Sequence, residues 1–222
     1  MVYTPPQFAV EDREILHDHI ERTGLALLVG AGPEGPLLSH APMLLERDAG
    51  TKGNGRLVGH LARANPHWQS ADPAKPSVAV FQGPDAYITP SWYATKHERG
   101  RVVPTWNYAV VHARGPVEFY DDRDRLHDVV SRLTDFHERR RQAPWAVSDA
   151  PDRFVEAQLR GIVGFVLDIE TLTGKYKLSQ NRPAEDKAGV VAGLGAEPDA
   201  RANAMRDLVQ DAADGRFEGS GR

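Results

Sequence analysis

The spacing of hydrophobic positions changes several times along the chain, and each change marks an element. Residues 10–23 (VEDREILHDHIERT) carry Ile15, Leu16, His19 and Ile20 at helical spacing, with acidic residues early and Gly24 just beyond. This pattern predicts a short amphipathic helix. LALLV (25–29), PLLSHAPMLLE (36–46), RLVGHL (56–61), SVAVFQG (77–83), DAYITPSWY (85–93) and TWNYAVVHARGPVEFY (105–120) come next, rich in β-branched and aromatic residues and separated by Gly, Pro and Asp. Short runs of this kind with turn residues between them predict strands, and six of them within about 95 residues predict an antiparallel barrel.

Helical spacing returns at 121–141 (DDRDRLHDVVSRLTDFHERRR), where Leu126, Val129, Val130, Leu133 and Phe136 form one apolar stripe between an Asp-rich start and a basic end. That stripe should lie on the sheet, with the charge gradient complementing the helix dipole. A shorter helix is expected over 151–160, capped by Asp149, with Pro151 in its first turn and Gly161 as its stop. GIVGFVLDIETLTGKYKLS (161–179) reads as a returning strand pair. The Ala-, Asp- and Gly-rich stretch 183–213 offers one weak helix, 199–212, and residues 214–222 are expected to be disordered.

Composition narrows the function classes. At 222 residues the chain exceeds the common single-domain size, yet barrels of about 200 residues form one core. Its longest apolar runs span about five residues, and its start lacks the basic and apolar regions of a signal peptide, so a cytoplasmic protein without a membrane span is expected. The absence of cysteine removes disulfides, thiolate zinc sites, iron–sulfur clusters and thiolate-ligated haem, leaving histidine, carboxylate or other oxygen and nitrogen ligands for any metal. A net charge of −4 disfavours direct DNA binding, which depends on basic residues neutralising phosphates.

Three stretches concentrate chemistry. In HLARANPHW (60–68), Pro66 keeps Asn65 out of the helical region, so a strand ends there in a turn or a very short helix. Its His60 and His67 stand seven positions apart, which is no metal signature, and histidines in such a loop are usually packed or solvated. Arg63 can bind phosphate or carboxylate bidentately, though a surface arginine is more often only hydrated. In 91–115, Trp92, Tyr93, Trp106 and Tyr108 interleave with Lys96, His97, Arg99, Arg101 and Arg114, a mixture that can stack a flat cofactor and neutralise its acidic groups, or fill a barrel and solvate a hairpin tip. TGKYKLSQNR (173–182) packs Lys175, Lys177, Ser179, Gln180, Asn181 and Arg182 behind a strand, as a polar strand end also would. No GxGxxG, GxxxxGK[ST], GxSxG or HExxH pattern occurs, and HERRR (137–141) is best read as a basic helix end.

Taken in order, GHLARANPHW, FQGPDAYITPSWY, VVPTWNYAVVHARG, GIVGFVLDIE and KYKLSQNR resemble the PaiB family, whose members are commonly named FMN-binding negative transcriptional regulators. The resemblance spans about residues 1–195. It implies a mainly β fold with flanking helices (α+β), an antiparallel split barrel of the flavin-reductase type, working as a homodimer with cofactor pockets at the subunit interface. On this view 1–195 form the cofactor-binding domain, 196–213 a C-terminal helix and 214–222 a disordered tail.

The same scaffold includes haem-dependent piperazate synthases, which close N5-hydroxyornithine into a ring by forming an N–N bond, so the resemblance leaves haem b and FMN both open. For FMN it points to Arg63, Ser91, Lys96 and Thr105 around the phosphate and Trp92 or Trp106 against the ring; Trp68 and Asn107 are expected as pocket walls for either cofactor. For haem it points to His60 as the axial ligand, with His67 as the alternative, and to Arg63, Lys96 or Arg114 for the propionates. Cyclisation with loss of the hydroxyl requires a general acid and a base, for which Lys96, His97, Tyr93 and His67 are the candidates. A haem-dependent N–N cyclase is the first expectation and an FMN-binding regulator or sensor the alternative; the acidic chain, which lacks a DNA-reading element, weakens the regulator reading.

Overall fold

The computed structural model describes residues 2–96 and 100–217 of the chain. Two compact units divide them, one comprising His17–Phe81 and His112–Leu172, the other residues 2–16, 82–111 and 173–217.

In the first unit, strand β2 (Leu25–Gly32) turns through Pro33 and Glu34 into β3 (Gly35–Glu46), pairing Gly32 with Gly35 and Leu25 with Pro42. Gly35 has φ +133°, a conformation open to glycine and costly for other residues. Strand β4 (Arg56–Ala62) pairs antiparallel with β3 and with β8 (Ile162–Asp168), and β8 also pairs with β7 (Val117–Tyr120). The opening part of β5 (Ser77–Ile88) joins the other side of β2. The segment at 56–62 alternates as the pleat requires: Leu57 and Leu61 are buried on one face, while Val58 and His60 share the other.

That second face is roofed by the long helix predicted at 121–141, observed as Arg123–Glu138 with Asp122 as its cap. Its Val129 and Leu133 pack on Val58, flanked by Leu44, Val130 and Val166. A short turn of helix follows β4 at His67–Ser70, and another helix spans Asp152–Leu159. With α1 (Arg13–Thr23), these are α2 (67–70), α3 (123–138) and α4 (152–159) in chain order. The expected cap of α4 is displaced: the Asp149 carboxylate accepts the Ala146 N–H at 2.9 Å, closing a 3-10 turn over Val147–Asp149, and Pro151 stands at the helix start.

The other unit orders its strands β1 (Ala9–Val10), β9 (Thr171–Lys177), β6 (Thr105–Gly115) and the later part of β5. The strands read together at 161–179 are thus not a pair: β8 lies between β4 and β7, whereas β9 pairs with β1, Ala9 facing Lys175. The expected strand 85–93 ends at Ile88, and Pro90–Trp92 form a 3-10 turn because Pro90 cannot donate to the ladder there. Two helices follow β9, α5 (Ala184–Ala196) and α6 (Ala200–Ala213). Only the second was expected; α5 is Ala- and Gly-rich with little amphipathic contrast, and buries Val190 and Leu194 on contacts with few polar cues. Of the expected tail 214–222, residues 218–222 lie outside the described residues.

Helix α1 buries His19, whose Nε2 lies 3.1 Å from the Phe81 carbonyl, and burial lowers its pKa from 6.5 to about 4. The unfolded chain therefore binds more protons between these two values, so stability is lost as pH falls from about 6.5 toward 4. Urea unfolding from pH 7 to 4.5 should show this loss, on the order of 3 kcal/mol from His19 if the window is fully traversed. His19→Gln should flatten the slope by about one proton, and an unchanged slope would remove His19 as its source.

Candidate functional site

Beyond the end of β4, residues 63–68 form a hydrogen-bonded turn tied to β3 through Ser39 and to Arg160 and Gly161. Asn65 is its hub: its side-chain oxygen accepts the His67 N–H at 3.0 Å, and its Nδ2 donates to Ser39 Oγ at 2.9 Å. Ser39 Oγ also lies 2.9 Å from His67 Nδ1, and the Trp68 indole donates to the Arg63 carbonyl at 3.0 Å. His67 is only 2% exposed, and its Nε2 is buried without a partner against β2, where a Cβ on Gly30 would stand 2.7 Å away. Phe119 lies across the ring at 6.1 Å between centroids. Burial lowers the pKa of His67 and keeps it neutral.

His60 is in a different setting. It sits half-buried on β4 opposite Gly164 of β8, and the Tyr120 ring fills the space over that glycine. Its Nδ1 is buried and has no hydrogen-bond partner, and burial lowers its pKa. It is thus a neutral imidazole with an unused nitrogen, which is what a transition-metal ligand requires. Arg63 is already engaged, donating to the Arg160 carbonyl at 2.9 Å and pairing with Asp121 at 3.4 Å. Arg114, half-buried near the end of β6, accepts the Glu170 N–H through its backbone carbonyl at 2.9 Å.

The remaining candidates fall in the other unit. Thr89 caps the 3-10 turn by accepting the Ser91 N–H, and Lys96 Nζ donates to Ser91 Oγ at 3.2 Å. Asp186, fully buried at the start of α5, anchors this segment by accepting Thr95 N–H at 3.0 Å and Thr95 Oγ1–H at 2.8 Å. Trp92 lies on α5, where a side chain at Gly189 would meet its carbonyl and one at Gly193 its ring. Gly189 thus admits the Trp92 backbone to the helix surface and Gly193 its indole. Tyr93 is buried, with the Arg182 guanidinium 4.5 Å above its ring, and burial raises its hydroxyl pKa. His97 and Arg99 lie outside the described residues.

Thr105 and Asn107 begin β6 beside the end of β9, and there a group of cations gathers that the sequence showed only as a polar strand end. Lys177 Nζ bonds to Thr105 Oγ1 and donates to the Trp106 carbonyl at 2.9 Å. Asn107, fully buried, donates to Ser179 Oγ at 3.0 Å. Ser179 has φ +65°, a left-handed conformation unusual for serine. It is braced by Asn107 on one side and on the other by Gln180, which accepts the Leu178 N–H and donates to the Tyr176 carbonyl. Lys175 is 8% exposed, its Nζ 5.3 Å from the Tyr108 ring centroid and 5.4 Å from that of Tyr3. Burial, and then the charges of Lys175 and Arg182, lower the pKa of Lys177. Among the described residues none of these three cations forms an ion pair with a carboxylate. Trp106 itself leaves the next face of β6, half-exposed, with its indole donating to Asp85.

Residues 2–171 match the model of a family described as "Putative FMN-binding domain". The chain is 30% identical over 210 residues to the Bacillus subtilis protease synthase and sporulation protein PAI 2, covering 95% of this chain and 97% of that protein. Among solved structures it is similar to the flavocytochrome Anf3 of Azotobacter vinelandii, with TM-score 0.54 and 15% identity over 82% of this chain and 75% of that one. An FAD- and haem-binding protein of Mycobacterium smegmatis gives TM-score 0.53 and 16% identity over 76% and 73% of the two chains. At such identities these two structures speak to the fold, the helix-flanked antiparallel split barrel expected from the sequence.

The His67 seat makes a direct prediction. Gly30→Ala should lower stability by about 1–3 kcal/mol in urea unfolding, because the imidazole is pinned by Ser39 and has little room to yield. Adding His67→Ala should recover much of that loss; strictly additive losses would mean the two positions do not press on each other.

Proposed function

Since this chain belongs to the PaiB family, whose model is that of an FMN-binding domain, we propose that it binds FMN and anchors the phosphate at the end of β9. The observation that supports this reading is the half-buried positive charge of Lys175, Lys177 and Arg182, which among the described residues has no carboxylate partner. Buried charge without a counter-ion is costly, and a phosphate dianion offsets it while offering acceptors to the ammonium and hydroxyl donors. Lys177 is oriented toward Thr105 and Arg182 is held over Tyr93, so both cations are positioned before a ligand arrives. The left-handed turn at Ser179, braced by Asn107 and Gln180, fixes where the chain departs from β9 and so fixes the spacing between Lys177 and Arg182. Ser91 and Lys96, tied to each other and steadied through Asp186, supply a second donor pair from the segment before β6. Bound FMN supplies hydride and single-electron transfer.

A second reading is favoured by His60: a haem b protein in which its neutral imidazole would hold the iron, acting as a cyclase on an N-hydroxylated diamino acid such as N5-hydroxyornithine. Its buried, unpartnered Nδ1 supports this, whereas His67 has one nitrogen engaged by Ser39 and the other enclosed against β2. Haem supplies a Lewis-acidic iron. The chain's own part would be to hold the substrate amines together and move protons.

The absorption spectrum of the purified protein separates the two: flavin bands near about 370 and 450 nm support FMN, and a Soret band near about 400 nm supports haem. For the FMN reading, Lys177→Ala should weaken FMN binding about 10- to 100-fold while leaving riboflavin binding unchanged, because only FMN carries the phosphate. Equal loss for both ligands, or none, would overturn the phosphate assignment. If a Soret band is seen, His60→Ala should abolish or shift it, and an unchanged band would exclude His60 as ligand.

A further inference from the structure

We propose that a cleft lined by β5, β6 and helices α5 and α6 is a binding site for a small organic cation carrying an alkylated ammonium group. The cleft has a volume of about 520 Å³, within the range of small-molecule pockets. Its walls are aromatic. Tyr87 and Trp106 are each about half-exposed and line the cleft together, their ring centroids 6.1 Å apart in an edge-to-face arrangement inclined at 61°. The Trp106 ring is held by the hydrogen bond from its Nε1 to Asp85 at 3.0 Å, and Trp92, a third aromatic lining residue, is backed by Gly193 on α5. Rings fixed by such contacts need little ordering when a ligand enters.

The charge of the lining sets the chemical class. Asp85, Glu197 and Asp199 line the cleft against one cation, Arg201. Asp85 and Asp199 accept hydrogen bonds from neutral donors, the Trp106 indole and the Arg201 backbone N–H, so neither loses its charge to an ion pair. Among the described residues none of the three carboxylates is within salt-bridge distance of a side-chain cation. Aromatic rings beside carboxylates that form no ion pair attract an organic cation and repel an anion. A phosphate-bearing ligand is therefore a poor occupant here. The site is also distinct from the Lys177 cluster, because neighbouring positions on a strand point to opposite faces: Thr105 and Asn107 face the β9 cations and Trp106 faces the cleft. Alkylation suits the ligand better than a bare ammonium, since methyl groups fill space against rings and lower the cost of desolvation. The inference does not rest on the FMN reading, and its test does not read flavin.

The test titrates the full-length protein with choline and with its neutral isostere 3,3-dimethylbutan-1-ol, following tryptophan fluorescence and saturation-transfer NMR. Choline should bind saturably with a dissociation constant on the order of 1 mM or below, and the isostere at least about tenfold more weakly. Asp85→Asn, which keeps an acceptor for Trp106, and Glu197→Gln, at the exposed end of α5, should each weaken choline several-fold and leave the isostere unchanged. Equal affinity for the two compounds, absence of saturation by choline, or indifference to both substitutions would each overturn the proposal. Glu197→Gln keeps the test decisive should Asp85→Asn disturb the packing of Trp106.

Discussion

Strands β4 and β8 bury both of their faces, and much of the first unit follows from that constraint. Leu57, Leu61, Val163, Phe165 and Leu167 lie on one side, and Val58 and Val166 on the other. A two-sided apolar strand is stable only when each face is covered, so α3 must lie across the second face, and its 3.6-residue stripe supplies Val129 and Leu133 to do so. Glu46 then ties the layers at their edge, taking Arg132 from the helix and Arg56 from the neighbouring strand on its two oxygens. Because one carboxylate serves both, the pairing fixes the position of the helix along the sheet; its worth lies more in that registration than in net stabilisation, since partly exposed pairs contribute little.

The same two-sided burial sets the difference between the two histidines. His60 shares its face of β4 with Val58, so the packing that buries Val58 also strips water from the imidazole without giving its Nδ1 a partner. His67 stands beyond the strand, where Asn65, Ser39 and Gly30 form a closed seat. Two histidines seven positions apart thus each keep one unpartnered nitrogen in different surroundings, His60 on the helix-covered face of β4 and His67 as a strut against β2 whose other nitrogen is engaged by Ser39. On the other unit a comparable division separates adjacent residues of β6. Thr105 joins a cationic cluster and Trp106 an acidic, aromatic cleft, an arrangement the alternation of a strand makes unavoidable.

Most of the elements were legible in the chain because they rest on local periodicity: α1, α3 and the runs that became β2, β3 and β4 follow from spacing and turn residues alone, whereas the single run 105–120 is divided at Pro116 into β6 and β7, which take different neighbours in the sheet. Helix α5 was not, because its Ala- and Gly-rich surface is shaped for close approach to Trp92, and small residues chosen for proximity carry little amphipathic signal. The cap on α4 shifted because Asp149 found a nearer donor in Ala146. Among the candidate site residues, the aromatic and cationic types were visible at once, but their company was not. Arg63 is tied to Arg160 and Asp121, partners about a hundred and about sixty positions away, while Lys177 and Thr105, seventy-two positions apart, meet at one strand end.

By itself the sequence determined the strand-rich order of elements, the absence of thiol chemistry and, through motifs in series, the family. These are properties of local spacing and composition, which act over a few residues and need no partner. Only the tertiary structure decided which charges are left without counter-ions, which imidazole is enclosed and which rings face open space. Each of those depends on desolvation, and a side chain is desolvated by whichever distant segments happen to pack around it.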